Sequence, residues 1–580
     1  MTDLPLSRTR PTRNRRLRLP VSSVPVYVWL TLLIVVPNAL LAVYSFWTAD
    51  DYGITRTFSL NNYMDVLESS TYTTLIIRTV GIAAAVAVFA TLVAFPMAFI
   101  VSQKLRRTRL AAVILVVVPL WVSLLVRVFA WKIVLGENGV LNRGLLDLGL
   151  ISQPVGFLLY TRFSVFLTLT CVTVPYVFIS AYTSLERVPH SVLEAAGDLG
   201  ASSLRRFTTI TWPLARPGVA IGFTLAFVLA VGDYLSPSLV GGLNGTMVGS
   251  AIVSQFGVAN NWPMGGALAV VLLAGVVLVT AVVARAGRTR GTLEGDIGAG
   301  IPEDAVAPNA LIHRVTSVVS YGYLTVAFLF LYLPLFLIAL FSLNTSTVQA
   351  LPIKGLSFHW YQQLSNSPEL ITAFKRSLLV GAGAVAMSVF FGTVFALIFA
   401  YRKPRGAAIL QGALTLPFLL PGVILGLALA ILFREVGVPF GVVAIVIGHT
   451  TFITPIVMGV LLTRLRQMDP SIVHAAMDLG ASPARTFVGI VAPQLRTALI
   501  GSCLLGFTLS FDEVLVTFFL AGNQPTLPVY VYNQLRFGFT PTINALFTCI
   551  TVVSVTLLLV GMRLVSGRSS PNGKPTLPLV

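Results

Sequence analysis

Twelve apolar runs, each close to twenty residues long, punctuate this 580-residue chain and restrict its fold more than any other feature. About twenty such residues, when helical, match the hydrocarbon thickness of a bilayer. Lipid offers a backbone no hydrogen-bond partners, so each run is expected to close its own bonds as a helix. The runs fall near 24–46, 73–101, 110–135, 163–185, 219–240 and 265–285, then 318–342, 372–400, 408–433, 440–462, 498–521 and 541–565. Only 10% of residues are charged, against roughly 25% in soluble domains. The predicted fold class is an all-α polytopic membrane protein with about 12 transmembrane helices.

The net charge of +18 is better read as topology than as a nucleic-acid footprint, because the basic residues flank apolar runs. Arg8 through Arg18 precede the first run, Lys104, Arg106, Arg107 and Arg109 separate the second and third, and Arg402, Lys403 and Arg405 separate the eighth and ninth. The connection from Gly241 to Gly265 contains no Lys or Arg. Basic loops stay on the cytoplasmic side, so both termini are expected there. The first run is longer than a signal-peptide core and no Ala-x-Ala site follows it, so a retained span is expected. Cys171, Cys503 and Cys549 lie in apolar segments without metal-ligand spacing, and the five histidines form no metal motif. No metal site is expected.

The chain repeats itself. Pro119 and Pro417 are 298 residues apart, as are Tyr63 and Tyr361, whereas Pro175 and Pro455 are 280 apart, as are Pro213 and Pro493. The drop of 18 assigns extra residues to the first half, within the 136–162 connection. Six spans per half give both halves one orientation, a parallel pseudo-two-fold repeat. The expected divisions are a basic tail (1–23), a first membrane domain (24–285), a Gly-rich linker (286–317), a second membrane domain (318–566) and a short tail (567–580). Pro119, Pro175, Pro417, Pro421 and Pro455 lie within runs and predict kinks or unwound turns.

One polar segment is duplicated within this apolar frame. Glu194-Ala195-Ala196-Gly197-Asp198-Leu199-Gly200-Ala201-Ser202 returns as His474-Ala475-Ala476-Met477-Asp478-Leu479-Gly480-Ala481-Ser482. Both copies lie in the long loops expected on the cytoplasmic side. Val192 to Asp198 is expected to form a short helix stopped at Gly200. A second short helix, capped by Ser202 or Ser203, is expected to run through Leu204, Phe207 and Ile210 to Pro213. An amphipathic helix packed under the bundle would explain one copy. Two copies at retained spacing suit a two-fold partner better.

The Glu-Ala-Ala...Gly pattern resembles the coupling loop of membrane permeases of bacterial ATP-binding cassette importers. Phe58-Ser59-Leu60-Asn61-Asn62-Tyr63, Pro119-Leu120-Trp121, Arg127 and Gly136-Glu137-Asn138-Gly139 extend the likeness in the first half. Trp360-Tyr361, Phe507 through Glu513 and Leu527-Pro528 extend it in the second. Together they look like the two permease subunits of spermidine/putrescine importers joined in one chain. The resemblance implies two tandem six-helix type I importer domains in the bacterial inner membrane. It implies docking of two ATPase subunits, as a homodimer, on Glu194, Ala195, Ala196, Asp198, Gly200, Ala201, His474, Ala475, Ala476, Asp478, Gly480 and Ala481. It also implies an extracytoplasmic solute-binding protein that delivers a small-molecule substrate. No phosphate-binding Gly-x-x-x-x-Gly-Lys-Ser/Thr loop is present, so no cofactor is expected on this chain. ATP and Mg would sit on the partner ATPases, and this chain would not itself be an enzyme. Relatives carrying iron(III), thiamine, sulfate or an aminophosphonate share much of the pattern, and a twelve-helix secondary transporter would also show a six-plus-six repeat.

Candidate cargo contacts are the charges within apolar runs, which are costly there. At an offset of 280, Gly232 aligns with Asp512 and Asp233 with Glu513, so acids from both halves are expected to meet near the pseudo-two-fold axis. Carboxylates lining a cavity would favour a cation, with Tyr234 and Phe511 adding cation–π contacts. Trp121 joins them as a weaker candidate, since tryptophans near span ends are usually interfacial anchors. Alternatively the acids pair with Arg127, Lys132 or Arg376, which would themselves matter for an anionic cargo.

Overall fold

The computed structural model describes residues 23–287 and 310–566, apart from 51–52, 106–107, 348, 350–351, 403, 405 and 538–540. The basic tail up to residue 22, most of the linker, the 567–580 tail and Arg106, Arg107, Lys403 and Arg405 lie outside the described residues.

The first half contains α1 (Val24–Tyr44), α2 (Asn61–Glu68), α3 (Ser70–Gln103), α4 (Arg109–Val117), α5 (Leu124–Leu135), α6 (Val140–Asp147), α7 (Arg162–Glu186), α8 (His190–Asp198), α9 (Ser203–Gly232), α10 (Val248–Phe256) and α11 (Trp262–Gly287). The second half repeats the order with α12 (Ala310–Phe341), α13 (His359–Ser365), α14 (Pro368–Arg402), α15 (Ala407–Leu419), α16 (Gly422–Val436), α17 (Val442–Arg466), α18 (Pro470–Asp478), α19 (Pro483–Phe511), α20 (Leu515–Leu520), α21 (Leu527–Phe537) and α22 (Thr542–Ser566). Helix α6 has no counterpart; it is the core of the 18-residue insertion. Buried Asn142 secures it, donating to the Gly136 carbonyl (3.0 Å) and accepting from the Val155 N–H (2.8 Å).

Among the described residues nine helices are long and apolar enough to span a membrane, and two bent pairs raise the number to 11. The twelfth expected run lies in α22, a 25-residue helix from Thr542 to Ser566. The bent pairs fall where Pro119, Pro417 and Pro421 predict kinks or unwound turns, within 110–135 and 408–433. Each folds back by 92°, at Trp121–Leu124 and at Pro417–Gly422. In the first, Pro119 sits in a 3-10 turn (Val118–Trp121) and Val122 is extended. In the second, Leu420 is extended (ψ 137°), as a residue before proline prefers. Pro175 and Pro455 remain inside continuous helices.

The expected span 219–240 is revised. Helix α9 runs from Ser203 through Pro213 to Gly232 without interruption, and the chain then turns at Asp233. A π turn at Phe207–Thr211 widens the helix just before the proline, where a missing N–H is tolerated. Helix α19 repeats this with a π turn at Phe487–Val491 before Pro493. The second short helix of each loop therefore continues into the membrane span and does not stop at the proline.

Each half packs three helices at its centre: α3, α7 and α9 in the first, α14, α17 and α19 in the second. The leading helices cross over. Helix α1 packs against α16, and α12 against α5. The Tyr332 hydroxyl donates to the Leu115 carbonyl (2.6 Å), and the Tyr44 hydroxyl donates to Glu435, which also pairs with Arg56 at 3.1 Å. Large apolar side chains such as Phe89, Leu92, Val277, Leu329 and Phe390 remain exposed along the spans. Lipid is the environment that makes such exposure favourable.

The segment after each leading helix repeats side-chain contacts as well as backbone. Ser45 bonds Tyr63 (2.6 Å) as Ser342 bonds Tyr361 (2.7 Å). Asn62 donates to the Trp47 carbonyl (2.7 Å), and the Trp360 indole donates to the Asn344 carbonyl (2.6 Å). A short antiparallel hairpin joins β1 (Thr48–Asp50) and β2 (Gly53–Thr55), three-residue strands that carry too little residue pattern to mark them in the sequence.

Candidate functional site

The duplicated loops share one backbone. Helix α8 closes with bonds from Gly200 N–H to the Gly197 carbonyl (2.8 Å) and from Ala201 N–H to the Ala196 carbonyl (2.9 Å). Helix α18 closes alike, from Gly480 to Met477 (2.9 Å) and from Ala481 to Ala476 (3.0 Å). This is the Schellman arrangement, which requires a left-handed residue. Gly200 and Gly480 supply it at φ +79° and +83°. Ser202 then caps the next helix through the Arg205 N–H (3.4 Å), as Ser482 does through Arg485 (3.3 Å). Glu194, Ala195 and Asp198, like His474, Ala475 and Asp478, face outward. Ala196, Ala201, Ala476 and Ala481 are half-buried. Leu199 and Leu479 stand 89% and 90% exposed at matching tips, which gives both loops an apolar contact point.

Different braces hold the two loops. Arg206 folds back over Gly197, donating to the Leu193 carbonyl (3.4 Å) and to the Ser203 hydroxyl (3.3 Å). Its counterpart at offset 280 is Thr486, and the counterpart of Gly197 is Met477, which is 49% exposed. The second loop is capped instead at its start. Asp469, aligned with Pro189, accepts from the Ser471 N–H (2.9 Å). That backbone bond, with the Ser471 hydroxyl, holds its carboxyl below the ordinary range.

The elbows after α9 and α19 contain the predicted acids, and their roles divide. Asp233 is buried and caps the following turn, accepting from the Leu235 N–H (2.8 Å), the Ser236 N–H (3.3 Å) and the Ser236 hydroxyl. Glu513 does the same for α20, accepting from the Val516 N–H (2.9 Å). The two aligned acids thus share a helix-capping function that the alignment alone did not reveal. Asp512 is different. It accepts the Leu124 N–H (3.1 Å) across the interface, capping α5 of the other half. The aligned Gly232 lies so close to Pro421 of the other half that a Cβ there would come within 2.4 Å of the proline ring.

Asp512 and Phe511 line a small cavity with Ser123, Leu125, Leu527 and Phe547. Asp233, Tyr234, Glu513 and Trp121 are not in that wall. Tyr234 is fully buried between Phe518 and Tyr532 of the other half, at ring distances of 5.6 and 5.7 Å. Trp121 is half-buried on the 3-10 turn of the first broken span. None of the three acids forms an ion pair with Arg127, Lys132 or Arg376 among the described residues. Buried Arg127 instead donates to the Val172 carbonyl (3.4 Å). Asp512 also accepts a bond from the Ser123 side chain, and neither that hydroxyl nor a backbone N–H freed by a chain break leaves a residue-type signal that pairs it with an acid of the other half.

Two six-helix units with exchanged leading helices and a duplicated surface loop define a tandem membrane permease. A family profile for the inner membrane component of binding-protein-dependent transport systems matches residues 95–289 and 388–567. The chain belongs to that family and contains two such components in one polypeptide. It is similar to the spermidine/putrescine transport system permease protein PotB of Haemophilus influenzae, 30% identical over 264 residues that cover 45% of this chain and 92% of the relative. It is similar to the putrescine transport system permease protein PotI of Escherichia coli K12, 37% identical over 238 residues covering 39% of this chain and 83% of the relative. PotB of Escherichia coli K12 is 31% identical over 266 residues, 46% of this chain and 96% of the relative. The chain is therefore a multi-pass inner-membrane permease component of an importer, and a secondary transporter is set aside.

Proposed function

We propose that this chain supplies both permease components of an ATP-driven polyamine importer. Relatives that each match less than half of it, and that are named as spermidine/putrescine or putrescine permeases, are the observation that carries this reading. Two ATPase subunits dock on the cytoplasmic face, one on α8 and one on α18. Their approach and separation move α9 and α19, which are continuous with the docking loops. ATP and Mg are bound on those subunits. An extracytoplasmic binding protein delivers cargo on the opposite face, where the α6 insertion shapes its seat. Both chain termini are cytoplasmic.

Asp512 is the acid with access to the cavity, and its carboxylate suits an ammonium group, with Phe511 beside it. Asp233, Glu513, Tyr234 and Trp121 surround the elbows and contact cargo only if the halves separate. The test is uptake by the full chain reconstituted with its ATPase and binding protein, offered spermidine, putrescine, iron(III), thiamine and an aminophosphonate. Polyamine uptake that needs ATP and the binding protein is expected. Uptake of another cargo alone would overturn the polyamine reading, and uptake without any ATPase would overturn the coupling reading. Removing the α6 insertion should weaken delivery while leaving ATPase docking intact; unchanged uptake kinetics would remove its assigned role.

A further inference from the structure

His449 lies on α17 with no exposed surface, deep in the second half. Its two ring nitrogens bridge the elbow that carries Asp512. Nδ1 is 2.7 Å from the Ser510 hydroxyl, two residues before Asp512, and Nε2 is 2.8 Å from the Thr517 hydroxyl, five residues after it. Thr517 also donates to the Glu513 carbonyl (2.9 Å). A hydroxyl has one hydrogen to give, so Thr517 accepts from Nε2–H. In a neutral imidazole the other nitrogen then accepts the Ser510 hydrogen. The bonds run in one direction, from Ser510 through His449 and Thr517 to the backbone of Glu513.

The first half has no such imidazole bridge at the aligned positions, and its own buried tie from α7 to the segment after the elbow is Ser164 donating to the Val240 carbonyl. At offset 280 the three positions are Leu169, Ala230 and Pro237. Three positions that are apolar in the first half are polar in the second, beside the elbow whose acid crosses to the other half. A buried polar network that is fully satisfied specifies one geometry. The elbow at Gly232 needs no such control, since it is seated by direct packing on Pro421.

We propose that His449 is the positioning residue that sets the Asp512 elbow against Ser123 and Leu124. Its consequence for transport rests on the reading of Asp512 as a path residue; the positioning itself does not. The test uses the full chain in membranes, with Cys171, Cys503 and Cys549 replaced by Ala and a protease site placed in the linker. Ser123→Cys and Asp512→Cys report the contact by the rate of disulfide formation, which keeps the cleaved halves together. Tyr44→Cys and Glu435→Cys report a second cross-half contact as a control.

His449→Leu is expected to slow the 123–512 disulfide about fivefold, on the scale of one buried hydrogen bond lost, and to leave the 44–435 rate unchanged. Equal slowing of both pairs would mean that His449 only glues helices together, and an unchanged 123–512 rate would exclude any role; either result overturns the proposal. If His449→Leu does not insert, the triple change His449→Leu, Ser510→Ala and Thr517→Val leaves no unpaired hydroxyl and gives the same readout. In uptake, Asp512→Asn and His449→Leu should combine non-additively. Wild-type uptake by Asp512→Asn would defeat the path reading while leaving the disulfide result to decide the positioning.

Discussion

At the end of α9 the first half offers Gly232 to Pro421 of the second; at the end of α19 the second half offers Asp512 to Ser123 and Leu124 of the first. The two elbows turn at aligned positions and are capped by aligned acids, Asp233 and Glu513. One is closed by steric contact and the other by a charge-assisted hydrogen bond. The loops at the far ends of the same two helices differ as well. One is braced by Arg206 over Gly197, the other by Asp469 at its first turn. Duplication has preserved the backbone path while the chemistry that secures it has diverged. In a single chain each half always faces the other, so each contact is free to change independently.

The strongest challenge to the shared backbone is at the loop glycines. Gly200→Val or Gly480→Val forces a β-branched residue to a positive φ, where it is a steric outlier. Uptake is expected to fall to background with insertion unchanged. If only one substitution did so, the loops would be unequal in use as well as in bracing.

The elbows separate next. Gly232→Val overpacks against Pro421 and should cost about 1–3 kcal/mol of stability, read from thermal unfolding in detergent. Asp512→Asn keeps an oxygen to accept the Leu124 N–H and should change stability by no more than about 1 kcal/mol, yet it removes the carboxylate assigned to the cargo path and should reduce uptake about tenfold, the equivalent of about 1.4 kcal/mol. Similar outcomes at both sites would abolish the distinction drawn between them.

Smaller effects test the braces. Arg206→Ala should speed amide exchange in α8 only, and Asp469→Ala in α18 only. Because the Asp469 carboxyl is held below its ordinary value, its cap is fully formed above an unfolded pKa of about 3.9. The cap is lost as pH falls through the lower folded value. Exchange in α18 should therefore accelerate below about pH 4, after correction for intrinsic rates, and α8 should not follow. Smallest of all, Arg56→Ala breaks an exposed bridge to Glu435 and should cost no more than about 1 kcal/mol. The aligned pair Lys354 and Glu137 forms no ion pair among the described residues, so Lys354→Ala should cost less still.

Much of this was legible in the residues. Apolar run length located the membrane helices among the described residues but not the early starts of α9 and α19, and the repeat offset marked the insertion that contains α6. Gly200 and Ser202 marked the loop turns because left-handed backbone and capping each favour few residue types. The broken spans were half legible. Pro119 and Pro417 signal unwinding, but Pro175 and Pro455 carry the same signal inside unbroken helices. The acids are legible by type and not by role. A carboxylate in an apolar run announces that it needs donors, and nothing local says whether these are cargo or backbone N–H groups.

What the sequence by itself determined is therefore the apolar runs, their duplication and the place of the two repeated polar loops. These follow from solvent partition, helical pitch and local backbone preference, which act over a few residues. The tertiary structure alone decided that α1 and α12 cross over, that Asp233 and Glu513 cap while Asp512 reaches across, and that His449 closes a chain of bonds around that elbow. Each of those outcomes joins groups separated by tens to hundreds of residues. Donors and acceptors can be paired over such distances only after packing has brought them together.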